Sequence, residues 1–161
     1  MADTVDTRNP ALETMLLIGE RLLLTCWVGA LWAIGYLAVP TLFAQLDDRM
    51  LAGMLAGRLF TLVSFLGLFC GGVLMLGVVF RAGRQVLRST RFWLLLLMLL
   101  LVVAGEFFLQ PLMAQLKAEG LAEGSAQAVQ FARLHGVASV LYLINSLCGL
   151  LLIGMGNNSR G

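Results

Sequence analysis

Four long stretches of this chain are almost wholly apolar, and its polar residues collect between them. The stretches run from about Met15 to Val39, Leu59 to Phe80, Phe92 to Leu109 and Phe131 to Met155. At a helical rise of about 1.5 Å per residue, each is matched to the roughly 30 Å of hydrocarbon in a bilayer. The pattern predicts an all-α integral membrane protein with four transmembrane helices arranged as two hairpins. Residues 1–14 form a polar lead-in, residues 15–155 a single membrane domain, and residues 156–161 a polar tail.

The boundaries carry their own signals. Pro40 and the Gln110-Pro111 pair are expected to stop the first and third spans, because proline lacks an N–H and its ring collides with the preceding turn. Asp47 or Asp48 is placed to cap the second helix and Ser125 the fourth, each through a side-chain oxygen that accepts from free backbone amides. Glu20 and Arg21 lie in the first turns of span one, where long side chains snorkel toward the interface. Tyr36 suits an interfacial aromatic belt, while Trp27 and Trp32 read as packing residues. In the second span, Gly67-Leu-Phe-Cys-Gly71 spaces small residues one turn apart, which lets helices approach closely. That favours packing within the bundle, with a homo-oligomer through Gly67 and Gly71 as the other reading.

Composition sharpens the class. Sixty per cent of the 161 residues are hydrophobic and 12% charged, against about a quarter charged in soluble domains. The mean hydropathy is +0.91. The bilayer is therefore the expected partner. A net charge of +2 without a basic stripe interleaved with aromatics leaves no support for nucleic-acid binding. Cys26, Cys70 and Cys148 each fall inside an apolar run and read as buried thiols. The first span lacks a basic lead and is longer than the core of a cleaved leader, so it is expected to stay attached. Between spans two and three, Arg81, Arg84, Arg88 and Arg91 share a short loop free of acidic residues. By the positive-inside rule this loop is cytoplasmic, and with four spans both termini lie on that side.

The two halves echo one another. Pro40-Thr-Leu-Phe-Ala-Gln-Leu46 resembles Pro111-Leu-Met-Ala-Gln-Leu116 with one residue removed, and Gly57-Arg58-Leu59-Phe60 resembles Ala132-Arg133-Leu134-His135. Two hairpins starting on the same side make a parallel internal repeat about an axis along the membrane normal.

The candidate chemistry lies at the outer ends. Glu106 sits about one helical turn before Pro111, Arg58 and Arg133 open the second and fourth spans, and His135 is the sole histidine. The topology collects these four near one plane. One reading is an ion pair, Glu106 with Arg58 or Arg133, tying the hairpins together. The other is a small binding site for a metal, an anion or a porphyrin-like ligand, with His135 as ligand or proton carrier. Met50, Met54 and Met113 join His135 in a soft-metal variant of that site. The chain has no P-loop, GxSxG, HExxH or paired histidines, which favours a non-enzymatic role.

The segment Trp27-Val-Gly-Ala-Leu-Trp-Ala-Ile-Gly-Tyr-Leu-Ala-Val-Pro-Thr-Leu-Phe43, the Ala-Gly-Arg-Leu-Phe entry, Glu106, Pro111 and Leu134-His135-Gly136 resemble the transmembrane-protein-205-like family. The resemblance spans about Leu16 to Leu152. It implies a small four-span protein of the bacterial plasma membrane with undefined activity; the animal namesake is associated with resistance to platinum drugs. The first span and the late histidine are also distantly similar to copper-resistance membrane proteins and to a haem-binding protoporphyrinogen oxidase. Those relatives are richer in histidine than this chain. The leading expectation is non-enzymatic handling of a small ligand or metal at the outer Glu/Arg/His cluster. The alternatives are an assembly subunit of a membrane complex and a haem-linked oxidoreductase.

Overall fold

A computed structural model describes residues 10–122 and 124–157. It contains four long helices, α1 (Pro10–Gln45), α2 (Arg49–Ala82), α3 (Thr90–Glu119) and α4 (Ala126–Asn157). All four are long and apolar enough to cross a membrane. Each outruns the apolar stretch that announces it. The 34 residues of α2 extend about 50 Å, so roughly two fifths of the helix stands beyond about 30 Å of hydrocarbon.

The caps fall where the sequence places them. Asp48 Oδ1 accepts from the amides of Met50 and Leu51 at 2.8 and 3.1 Å, and Ser125 Oγ accepts from the Ala128 amide at 3.1 Å. Gly83 and Gly120, with φ of 50° and 96°, close α2 and α3 in a backbone region that side chains disfavour.

The prolines do not end their helices, which corrects the boundaries expected at Pro40 and Pro111. Each is preceded by six residues of π-helix, Ala33–Ala38 in α1 and Ala104–Leu109 in α3. The residue just before each proline bonds five residues back rather than four: Val39 N–H to the Ile34 carbonyl, and Gln110 N–H to the Gly105 carbonyl. Widening the turn makes room for the proline ring and keeps the neighbouring amides satisfied. The two π segments stand at the same distance from their prolines. The sequence echo between the halves is thus also an echo in backbone geometry.

The helices form a square: α1 and α3 each pack on both α2 and α4. At its centre Trp27 of α1 and Met98 of α3 are both fully buried, and they occupy matching places relative to the two prolines. Trp27 lies flat against α2. A Cβ on Gly67 would collide with its Nε1, and one on Gly71 would sit 2.8 Å from its Cζ3. The glycine pair therefore leaves space for an indole inside the bundle. Both glycines are buried and already covered by the indole, which favours the reading of packing within the bundle. Gly149 does the same for Val28, whose Cγ2 would stand 2.7 Å from an added Cβ.

Two other expectations are corrected. Cys26 is exposed, whereas Cys70 and Cys148 are buried. Trp32 faces outward, its ring 4.7 Å from that of Tyr36. At the end bearing the arginine loop, Glu20 does not merely snorkel. It pairs with Arg81 of α2 at 2.9 Å, and Trp93 Nε1 ties the loop down by donating to the Leu87 carbonyl at 2.9 Å. Phe65, Phe69 and Phe80 on α2 and Val140, Leu143 and Leu151 on α4 are exposed, an apolar outer surface suited to a lipid bilayer.

Gly67→Ala is expected to lower stability by about 1–3 kcal/mol, because the methyl group overpacks the fixed indole. Gly72→Ala, which meets nothing within 4 Å, is expected to be neutral or slightly stabilising. Thermal melts of helicity in detergent compare the two, and equal losses would contradict the packing described.

Candidate functional site

The π turn of α3 aims Glu106 at α2. Its Oε1 accepts a hydrogen bond from the Thr61 hydroxyl at 2.8 Å. Around this bond a groove opens between α2 and α3, lined by Gly57, Arg58, Thr61 and Leu62 on one side and by Glu106, Gln110, Pro111 and Ala114 on the other. Arg58 is exposed, while Thr61, Glu106 and Gln110 are half-buried. The groove is shallow and widely open, with ≈ 640 Å³ between its walls.

The ion pair expected at Glu106 is not formed. Among the described residues, neither Arg58 nor Arg133 lies within salt-bridge distance of its carboxylate. Its neutral partner, Thr61, orients the carboxylate without neutralising it. Arg58 shares the groove with Glu106, so a cation and an anion face one space without facing each other.

Arg133 and His135 do not line this groove. Both are exposed on α4. The His135 ring stacks 6.0 Å from Phe131, one turn earlier on the same helix, and Lys117 lies 5.3 Å above the Phe131 ring. The four-residue cluster thus divides, with Arg58 and Glu106 together and Arg133 and His135 elsewhere. The methionines also separate: Met50 and Met54 are exposed and Met113 is buried. Among the described residues no group of three His, Cys, Asp or Glu side chains could hold a metal ion.

A second polar feature lies deeper. A cavity of ≈ 60 Å³ among all four helices is lined by Leu31, Val63, Ser64, Val102, Gly105, Tyr142 and Asn145, among others. It has room for water but not for an organic ligand. Tyr142 donates its hydroxyl to the Leu31 carbonyl at 2.6 Å. Its ring fills the space left by Gly35, where an added Cβ would lie 2.9 Å from Tyr142 Cζ. Asn145 is 3% exposed, and its Oδ1 has no partner among the described residues.

Sequence reasoning missed Thr61, Gln110 and Asn145. Signals were present for each. Thr61 follows Arg58 by one turn and Gln110 follows Glu106 by one turn, which places each pair on one helix face. Asn145 is a lone amide in an apolar span, where polar groups are costly and informative.

Square packing, two π turns that each precede a proline and a polar groove between neighbouring helices define a small four-helix membrane protein. The chain belongs to the DUF4149 family, described as a domain of unknown function, which matches residues 22–122. No curated protein and no solved structure matches it. The matched segment contains Arg58, Thr61, Glu106 and Gln110 and stops short of Arg133 and His135.

Thr61→Val, which keeps shape and removes the donor, is expected to cost about 1–3 kcal/mol by leaving a charged acceptor unsatisfied. Glu106→Gln keeps an acceptor for Thr61 and is expected to cost less. Melting both variants in detergent checks the order, and a larger loss for Glu106→Gln would show that the carboxylate has a structural ion partner.

Proposed function

We propose that this is a non-enzymatic membrane protein that holds a small charged ligand in the groove between α2 and α3. The observation carrying this reading is that Arg58 and Glu106 share one groove without forming an ion pair. Charges at a membrane boundary normally find a partner within the protein or serve a ligand. The neighbouring amide of Gln110 and hydroxyl of Thr61 add directional polar groups that can fix a ligand's orientation. His135, expected to be central, has no part in this site, and neither do the three methionines.

The resemblance to the transmembrane-protein-205-like family fits a four-span protein of the bacterial plasma membrane. The arginine-rich loop supports a cytoplasmic placement for that end, with both termini on the same side and the groove at the outer end.

Small molecules co-purifying with the protein test the binding reading. Mass spectrometry of extracts is expected to find a charged molecule with the wild type that is depleted in the Arg58→Gln/Glu106→Gln double variant. His135→Ala is expected to keep it. Identical inventories from wild type and double variant would contradict the assignment. Orientation is tested in a background lacking the native cysteines, with one cysteine placed at Gln85 or at Gln115. Labelling of intact cells by an impermeant thiol reagent is expected at Gln115→Cys alone, and labelling at Gln85→Cys alone would invert the topology.

A further inference from the structure

The groove's position and charges constrain the chemistry of a ligand there. Arg81 and Arg91 mark one membrane boundary, and a span of about 20 helical residues from there reaches Thr61 on α2 and Pro111 on α3. The groove is therefore level with the opposite boundary, where lipid phosphates and glycerol groups lie. It opens sideways between two spans, and Leu62 on its wall is 65% exposed. An acyl chain can run along that wall while the polar head enters.

The charges narrow the chemistry further. A lone metal cation would be repelled by Arg58, and a lone anion by Glu106. A ligand carrying a phosphate and a cationic nitrogen a few bonds apart answers both. The Arg58 guanidinium suits a phosphodiester through paired N–H donors. The Glu106 carboxylate, with Oε1 held by Thr61, keeps its other oxygen for an N–H donor. Gln110 supplies a further amide beside it. A primary ammonium can donate such hydrogen bonds; a quaternary one cannot.

Building on the ligand-binding reading above, we propose that the groove binds the headgroup of a membrane phospholipid bearing a primary ammonium, of the phosphatidylethanolamine type. Arg58 takes the phosphate and Glu106 takes the ammonium.

The test uses the full chain, purified from bilayers containing equal amounts of phosphatidylethanolamine, phosphatidylcholine and phosphatidylglycerol, with retained lipid read by native mass spectrometry. Wild type is expected to retain the ethanolamine lipid about tenfold over the choline lipid, the effect of one charge-assisted hydrogen bond. Glu106→Gln is expected to abolish that preference, and Arg58→Gln to reduce retention of all three. Retention in proportion to supply by wild type overturns the proposal by itself, so the test survives a variant that fails to fold. Preference for phosphatidylglycerol, lost only in Arg58→Gln, overturns the ammonium assignment and leaves the ligand-binding reading standing. No effect of either substitution on any retained lipid overturns both. Displacement of the lipid by water-soluble O-phosphoethanolamine at comparable concentration overturns the lipid as occupant and favours a soluble ligand of the same chemistry.

Discussion

A proline inside a helix removes one amide and crowds one carbonyl of the preceding turn. This chain meets that constraint twice, at Pro40 and Pro111, and resolves it in the same way by widening the preceding turn. The consequences reach well beyond the backbone. A π turn rotates the residues that follow it relative to those before, so the outer end of each helix presents a different face from the one a regular helix would show. Glu106 lies within the second of these turns and is directed at Thr61 rather than at an arginine.

The same device recurs with different contents. In α1 the π turn holds Gly35, and the space is filled by the ring of Tyr142, whose hydroxyl bonds the Leu31 carbonyl. In α3 the matching position holds Glu106, bonded to Thr61. Under the pairing of Arg58 with Arg133, the counterpart of Thr61 is Gly136. One half of the bundle is thus closed with an aromatic ring, and the other carries a hydroxyl-bound carboxylate beside a groove. The interior is held by a different fit, the seat of Trp27 on Gly67 and Gly71, which leaves the groove side chains no part in packing the core.

Much of this was legible from residues alone. The four long apolar helices, a cap at Asp47 or Asp48 and another at Ser125, and the proline echo all follow from local rules that act within a few residues. What escaped depends on rotation about helix axes. Whether Trp32 and Cys26 face inward, whether His135 joins Glu106, and whether a glycine pair receives a second chain or an indole are decided by how faces turn toward one another. In an all-apolar helix, hydrophobic periodicity gives little guidance on that turn. The π segments add a register change that no propensity rule anticipates. The Glu20–Arg81 pair is of the same kind, since it links residues on separate helices whose facing is set by the packed square.

The central claim is that Arg58 and Glu106 are kept apart to receive a ligand of both charges. The most direct check is a solid-state nuclear magnetic resonance distance measurement in bilayers of ¹⁵N-labelled phosphatidylethanolamine, with ¹³C placed at Arg58 Cζ and Glu106 Cδ. The account predicts dephasing of the Arg58 signal by lipid phosphorus and of the Glu106 signal by the lipid ammonium nitrogen. Glu106 coupled instead to the Arg58 guanidinium, with no signal loss to lipid, would contradict it.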